Sequence, residues 1–288
     1  MGFVGIIVVF VMVFVTFIIA GGKISVILKA APVELSIIAG SALGAYIISN
    51  PMKVIKAGFK LGMHAMTAKG PQKKEYIELL QMMFQIFQLF RKDGPQAVEK
   101  HIENPEKSEI FSAYPSFIKN HHAVHFMCDT MKITLSADLS PYDVDDLLDA
   151  DVKAIHAEEH LAQHAIQATA DALPGLGIVA AVLGIVKTMA HLTEGVEKIG
   201  SLVGSALVGT MLGVFLAYGL IGPTATKVAS DLEAEGRYLN CIKAAMVALQ
   251  RGAPPLVCIE FARRRIMPEE RPTFEEMDKA TKEIKKAA

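Results

Sequence analysis

The stretch FVGIIVVFVMVFVTFIIA, at residues 3–20, contains no charged side chain. It is long enough to cross the hydrocarbon core of a bilayer, which takes roughly 20 mostly apolar residues. The same length test selects segments at about 33–50, 170–191 and 200–222. No basic residue precedes the first segment, and Gly-Gly-Lys after it is a poor cleavage site, so we expect it to remain as an anchor. The sequence therefore predicts an all-α polytopic membrane protein with four transmembrane helices in two hairpins plus a helical cytoplasmic domain.

The composition agrees with a membrane protein. Hydrophobic residues make up 52% of the 288 residues and charged residues only 20%, which is too apolar for an ordinary soluble chain of this size. The 29 basic and 30 acidic residues leave a net charge of −1, which gives no overall field to attract nucleic acid. We expect membrane lipid, and no nucleic acid, around this chain.

The predicted spans divide the chain into four parts: a hairpin at 1–52, a loop domain at 53–169, a second hairpin at 170–223 and a tail at 224–288. The link in the first hairpin holds Lys23, Lys29 and Pro32, and the link in the second holds Lys198. Lysines are denser after the second span, so the positive-inside rule places the loop domain, the tail and both termini in the cytoplasm. We expect a multi-pass protein of the bacterial inner membrane.

The loop domain and the tail show the patterns of packed helices. Residues 76–90 are dense in apolar side chains and carry one polar stripe, an acidic helix is predicted from Pro141 to Asp151, and apolar residues keep a three-four spacing from Leu232 to Leu249. These patterns predict amphipathic helices that pack together beside the membrane.

Small residues recur at four-residue spacing inside the predicted spans. Gly40 and Gly44 form one Gly-x-x-x-Gly pair, and Gly200, Gly204, Gly209 and Gly213 form two more. Such spacing lets helix backbones approach closely. The pattern fits packing within this chain and contacts between chains equally well.

Ionisable side chains are almost absent from the predicted spans. Only Glu34, Asp171 and Lys187 occur there, all near predicted ends, where anchoring at the interface explains them. If the protein conducts an ion, the carboxylate that binds it should come from another chain. This chain would then supply polar wall groups such as Thr210, Tyr218 and Thr16.

Several kinds of chemistry have no signature in the sequence. There is no phosphate-binding Gly-x-x-x-x-Gly-Lys-Ser/Thr loop, no dinucleotide fingerprint and no Gly-x-Ser-x-Gly elbow, so we predict that the chain is not an enzyme and uses no cofactor. Cys128, Cys241 and Cys258 are too far apart for a zinc knuckle. His156, His160 and His164 share a helical face but lack a His-Glu-x-x-His context, so we predict a solvated face and no metal site.

Ordered segments along the chain resemble the A subunit of the bacterial flagellar motor stator, the MotA/PomA (motility protein A) family. They are EKHIENP at 99–105, SEIF at 108–111, DALPGLGIVAA at 171–181, VGTMLG at 208–213, LAYG at 216–219 with Pro223, GAPP at 252–255, EFAR at 260–263 and ERPTF at 270–274. These segments follow the order of the family across almost the whole chain, which is far more specific than any single match.

The resemblance implies an ion-driven torque generator. In that family several A subunits surround helices of a peptidoglycan-anchored B subunit, which carries the ion-binding aspartate. A basic and an acidic residue of the A subunit contact the switch protein of the rotor C-ring, and the matching positions here are Arg91 and Glu99, with Lys92 as the basic residue if the register shifts by one.

The resemblance also assigns roles inside the spans. Pro174 and Pro223 match two prolines that couple ion binding to movement. Ala181 stands where the sodium-driven branch has a threonine. Because sodium needs oxygen ligands and alanine offers none, we expect the proton as the coupling ion and regard sodium as less favoured.

Two other classes compete with this prediction. The channel subunit of an outer-membrane uptake complex shares the last two spans but typically has three in all. A secondary transporter would show internal repeats and a charged midplane site, and this sequence shows neither.

Overall fold

The computed structural model of the protein describes residues 2–67 and 70–287, and the regular structure within them is helical. Short helical turns at Pro105–Lys107, Glu109–Ser112 and Pro115–Lys119 lie between the main helices. The main helices are α1 Gly2–Ile19, α2 Ile24–Ser49, α3 Met52–Thr67, α4 Lys73–Asp93, α5 Pro95–Glu103, α6 His121–Ser136, α7 Pro141–Met189, α8 Val196–Gln250, α9 Pro255–Arg263 and α10 Phe274–Ala287.

The chain forms two compact units. The membrane unit contains Met1–Ala68 and Glu158–Asp231, and the globular unit contains Lys69–Ala157 and Leu232–Ala288. Helices α7 and α8 each contribute one part to the membrane unit and the other part to the globular unit. The two units are defined by contacts between residues. The predicted boundaries at 52/53, 169/170 and 223/224 are instead the limits of the two membrane hairpins.

Within the described residues, α1, α2, α7 and α8 are the helices long and apolar enough to cross a membrane, as the sequence predicts. None of the side chains in the apolar window of α1 is buried in the protein. Its Phe10 and Phe14 rings contact Phe215 of α8 edge-on, with centroids 5.0 and 5.4 Å apart. The rest of α1 is therefore free to face lipid.

Helix α2 begins earlier than predicted. Gly21 has a φ of 85°, which closes the turn after α1, and the next helix starts at Ile24. Lys29 and Pro32, expected in the link between spans, lie inside this helix. A single proline removes one hydrogen bond and can kink a helix without ending it when packing holds both sides. The link between the first two long helices is therefore shorter than predicted, and Glu34 lies inside the second of these helices.

Helix α7 joins two predicted elements. It starts at Pro141, as expected, where Ser140 Oγ accepts from the Asp143 amide and Asp143 Oδ2 accepts from the Ser140 amide at 3.2 Å. The helix then runs to Met189 without a break, because no residue between Asp151 and Thr169 opposes helix formation. The acidic helix and the third predicted span are thus parts of one continuous helix.

The core of the globular unit surrounds α4. Leu79, Leu80, Met82, Met83 and Phe84 are completely or almost completely buried there. The predicted polar stripe on the opposite face is also covered, since Glu78 accepts a hydrogen bond from Ser116 and Gln81 donates one to the Ala280 carbonyl at 3.2 Å. The helix therefore lies inside the unit, with its polar face satisfied by other helices.

Candidate functional site

The two spans nearest the carboxyl end cross with almost no space between their backbones. A methyl group on Gly213 of α8 would lie 2.7 Å from both the Leu173 carbonyl oxygen and the Gly177 Cα of α7. One turn away, a methyl group on Gly209 would lie 3.1 Å from the Ala181 amide nitrogen. Any side chain larger than hydrogen would push the helices apart. Gly209 and Gly213 therefore pack helices within this chain.

The glycines of the second span behave differently. A methyl group on Gly40 or on Gly44 would meet no atom of the described chain within 4 Å. The face of α2 that carries these glycines is therefore not covered by the described chain. The corresponding face of α8 packs against α7 at Gly209 and Gly213. The interpretation as packing within this chain holds at Gly209 and Gly213, whereas contacts between chains at Gly40 and Gly44 stay a prediction.

The predicted ion-pathway residues Ala181 and Thr210 lie close to this crossing. Ala181 is buried, and Thr210, half-buried, directly follows Gly209. The structure adds Glu34 of α2, which is only 6% exposed. A methyl group on Gly209 would lie 2.6 Å from Glu34 Oε2, so the carboxyl group occupies the space left by the glycine.

Sequence reasoning did not predict that Glu34 is buried against other spans. Its prediction that Glu34 lies near the end of the membrane-spanning part of α2 stays a prediction, because the helix Ile24–Ser49 is longer than the predicted span at about 33–50.

Pro174 lies within α7, half-buried and directly after Leu173, whose carbonyl faces Gly213. Proline has no amide hydrogen and therefore breaks the helical hydrogen bond to the residue four positions earlier. The only proline inside the described part of α7 thus adjoins the closest contact between α7 and α8. This position allows bending of α7 to change the helix crossing.

Tyr218 and Pro223 come together at a different place. Residues Ala217–Ile221 form a π-helical turn within α8, and such turns often occur at functional positions. Tyr218 and Pro223 line an apolar cavity of about 250 Å³ together with Gly2, Gly5 and Val9 of α1. Tyr218 is 73% exposed. The structure therefore brings Tyr218 and Pro223 to the contact with α1 and leaves the Tyr218 ring largely uncovered.

Arg91 and Glu99 lie on either side of one sharp corner of the globular unit. Helix α4 ends at Gly94, whose φ of 82° suits glycine, and Pro95 starts α5 at once. Arg91 is exposed, and its guanidinium donates a hydrogen bond to the Gly252 carbonyl. Glu99 is exposed and has no ion pair within the described residues. At this corner the Arg91 guanidinium is hydrogen-bonded to the backbone, whereas the Glu99 carboxylate has no ion pair within the described residues.

Lys92 stands next to Arg91 and is also exposed. In the described parts of the chain its ammonium has no hydrogen-bond or ion-pair partner. It is therefore the freer of the two cations at the corner.

The tail segments EFAR and ERPTF are held together by hydrogen bonds. Arg263 is buried and donates to both carboxylate oxygens of Glu260 at 2.7 Å and to the Pro272 carbonyl at 2.8 Å. Arg264 donates to Glu260 at 2.7 Å as well. The hydrogen bond from Arg263, with help from Arg264, lowers the pKa of Glu260 to about 2. These residues stabilise the tail and have no free group for chemistry.

The three histidines of the predicted solvated face all lie on α7. His156 packs against Gly236 of α8, where a methyl group would overlap its ring. At least one of the three is thus in contact with another helix. The predicted absence of a metal stays a prediction.

Comparison with known proteins gives the relationship of the chain. The family model described as Motility protein A N-terminal matches residues 3–94, and the MotA/TolQ/ExbB proton channel family model matches residues 119–240. Chemotaxis protein LafT of Vibrio parahaemolyticus is 35% identical over 279 residues, which are 96% of this chain and 96% of LafT. Motility protein A of Salmonella typhimurium is 30% identical over 273 residues, 95% of this chain and 92% of that protein.

Comparison with solved structures also finds a similar fold. The structure of C. jejuni MotAB aligns with a TM-score of 0.77 at 18% identity, covering 95% of this chain and 98% of that chain. This likeness confirms the predicted all-α architecture. The curated relatives confirm the resemblance drawn from the sequence motifs. The chain belongs to the motility protein A family.

Proposed function

We propose that this chain is the ion-conducting, torque-generating A subunit of a flagellar motor stator. It couples proton flow, through a complex with a B subunit, to rotation of the rotor. The observation that carries the proposal is the α7–α8 crossing. Backbones in contact at Gly177 and Gly213, with Pro174 beside them, make a joint that changes shape if α7 bends. The joint lies inside the region matched by the proton channel family model.

The B subunit supplies the ion-binding aspartate and the peptidoglycan anchor. A solved structure of similar fold is described as the flagellar MotAB stator complex from Bacillus subtilis. The open face of α2 at Gly40 and Gly44 supports contacts with further chains, because small residues permit close approach of another helix. Further copies of this chain complete the ring around the B subunit.

The rotor contact is the corner of α4 and α5. Torque transfer needs opposite charges that attract and release quickly, and ion pairs in water contribute only about 0–1 kcal/mol. Glu99 satisfies this need because it is exposed and unpaired in the described chain. Arg91 and Lys92 share the basic role, with the Arg91 guanidinium already in contact with the Gly252 carbonyl.

The coupling ion is a proton. Ala181 offers no oxygen to a dehydrated sodium ion, and Thr210 offers a single hydroxyl. No other cofactor is required. Torque that persists without sodium, at constant proton-motive force, would support this assignment.

The location is the bacterial inner membrane, with the loop domain, the tail and both termini in the cytoplasm. The density of lysines that follow α2 supports this orientation. The chain acts as a channel component and performs no catalysis.

The uptake-complex alternative is not favoured. The family model matched by residues 3–94 is described as Motility protein A N-terminal, and LafT and the Salmonella relative match over nearly their whole lengths. Deletion of the gene followed by separate assays of flagellar assembly and rotation tests the function. Complete but paralysed flagella are expected, and normal swimming would contradict the proposal.

A further inference from the structure

A cavity of about 410 Å³ lies in the globular unit between α7, α8 and α9. Asp145 and Asp149 of α7 form one wall, and the carboxyl-terminal part of α8 forms another, starting at Asn240. Phe261 of α9 completes the lining together with basic side chains. Cavities of roughly 300–1,000 Å³ have the size that binds small molecules. Within the described chain, none of the residues assigned to the ion pathway or to the rotor contact lines this cavity.

The two acids of the cavity already have a partner. The Lys243 ammonium lies 2.8 Å from Asp145 Oδ1 and also donates a hydrogen bond to Asp149. The Lys243 side chain is only 13% exposed. Its hydrogen bond lowers the pKa of Asp149, which keeps that carboxylate ionised. These three groups join α8 to α7 by charge, and both carboxylates are therefore engaged and do not offer a site for a metal cation.

Two further cations of the cavity have no such partner. Arg251 follows the end of α8, Arg265 follows the end of α9, and both are exposed. Within the described residues neither guanidinium forms a hydrogen bond or an ion pair, whereas the neighbouring Arg263 and Arg264 are both bound to Glu260. Three basic and two acidic side chains in the lining leave a net charge of +1. A guanidinium presents a planar fork of N–H donors that matches a phosphate group, so the cavity is suited to an anion of this kind.

The cavity also offers a flat apolar surface. Phe261 lines it and is 51% exposed. An exposed aromatic ring can stack on another ring, and every nucleobase has such a face. Asn240 donates its amide hydrogen to the Gly236 carbonyl at 2.9 Å, so its own side-chain oxygen remains an acceptor for a base N–H. Solvated surface arginines would need neither a ring nor a concave wall, and the combination of all three favours a ligand.

We propose that this cavity binds a nucleotide. Arg251 and Arg265 hold the phosphate, Phe261 stacks on the base, and Asn240 accepts a hydrogen bond from the base. The proposal is for binding alone, with no bond made or broken, and it does not depend on the proposed function of the spans. It agrees with the absence of a phosphate-binding glycine loop from the sequence, because side chains and not backbone amides bind the phosphate here.

The test uses the full chain in complex with its B subunit, purified in detergent. Isothermal titration calorimetry measures the binding of ATP and of GTP without magnesium, and we expect saturable binding. Arg251→Gln and Arg265→Gln should each weaken it roughly tenfold, as expected for the loss of a charge-assisted hydrogen bond. Arg264→Gln is the matched control, since Arg264 is an exposed arginine of the same turn that donates to Glu260 and does not line the cavity. Its affinity should equal that of the wild type.

Inorganic phosphate and Phe261→Leu test the part played by the base. Phosphate alone has no ring and should bind much more weakly than either nucleotide. Phe261→Leu keeps an apolar side chain without the ring, so it should weaken the binding of nucleotides and leave that of inorganic phosphate unchanged. A bound nucleotide should raise the melting temperature of the wild type and not that of Arg265→Gln, because a ligand stabilises only the state that binds it.

Three outcomes would overturn the inference. The first is the absence of saturable binding of ATP and GTP at millimolar concentration. The second is equal affinity for inorganic phosphate and for the nucleotides, which would reduce the cavity to a simple anion contact. The third is wild-type affinity in both Arg251→Gln and Arg265→Gln, which would place the nucleotide elsewhere on the complex. Melting curves without ligand show that the variants compared are folded.

Discussion

The Arg91 guanidinium donates a hydrogen bond to the backbone carbonyl of Gly252. Gly252 has a φ of 80° and closes the turn between α8 and α9. One side chain of the corner proposed to contact the rotor therefore also holds the tail in place. A substitution at Arg91 changes both the surface charge and the attachment of the tail.

We expect Arg91→Ala to lower the stability of the globular unit by about 1 kcal/mol, the typical net value of one hydrogen bond. Lys92→Ala should leave stability unchanged, because Lys92 has no partner among the described residues. Thermal unfolding followed by far-UV circular dichroism measures this difference, since the chain contains no tryptophan for fluorescence. Equal melting temperatures for the two variants would show that the hydrogen bond contributes nothing.

Charge reversal at Glu99 should reduce torque without dissociating the stator. Glu99 is exposed and unpaired in the described chain, so its change costs little folding free energy. Glu106→Lys is a matched control, because Glu106 is also an exposed glutamate of the same unit outside the corner. Swimming speed and membrane localisation of a tagged stator give the two readings. Unaltered swimming of Glu99→Lys cells would remove Glu99 from the rotor contact.

The helical class and the four spans could be predicted because length and hydrophobicity decide them locally. The buried position of Glu34 could not be predicted from the same reasoning. Pro32 is a local signal for a break, and packing around α2 overrides it. The glycine pattern could not be resolved by local reasoning either. Its spacing indicates that one face of a helix is lined by small residues, but it does not indicate which helix packs against that face.

The predicted rotor residues were found from family motifs and not from physical pattern. A lone Arg91 or Glu99 on a polar helix is typical of an ordinary solvated surface. The hydrogen bond to Gly252 joins residues 161 positions apart. Such a pairing depends on the packing of α4 against α9, which no local pattern encodes.

Gly213→Ala should disrupt the membrane unit. The added methyl group would lie 2.7 Å from the Leu173 carbonyl oxygen and from Gly177 Cα, both of them backbone atoms that cannot move alone. Overpacking of this kind costs typically 1–3 kcal/mol. Gly200→Ala is the control, since a methyl group at this other glycine of α8 meets nothing within 4 Å. Thermal stability in detergent should fall only for Gly213→Ala, and an equal effect of both variants would contradict the described crossing.

Pro174→Ala should allow assembly and abolish torque. Alanine restores the helical hydrogen bond that proline lacks, so α7 becomes stiffer beside its contact with Gly213. Pro32→Ala is a matched control because Pro32 is also a proline inside a span, on α2. Torque of tethered cells and co-purification with the B subunit provide the readings. Normal torque in Pro174→Ala cells would exclude the hinge.

The Glu260–Arg263 pair predicts how stability depends on acid. Arg263 lowers the pKa of Glu260 from its ordinary value of 4.5 to about 2. A depressed pKa contributes stability that is fully present above about pH 4.5 and is lost as the pH falls toward about 2. Glu260→Gln removes that contribution, at a cost of about 2 kcal/mol near neutral pH for a charged hydrogen bond.

The measurement is the unfolding midpoint of the full chain between neutral pH and pH 2, by circular dichroism. Other carboxylates also titrate in this range, so the informative quantity is the gap between wild type and Glu260→Gln. Glu269→Gln serves as the control, because Glu269 is exposed and has no ion pair in the described residues. The difference in unfolding midpoint between wild type and Glu260→Gln should be largest near neutral pH. It should shrink toward pH 2, because Glu260 of the wild type then becomes protonated and the pair loses its charge. A gap that stayed constant from pH 7 to pH 2 would mean that the ion pair contributes nothing through its charge.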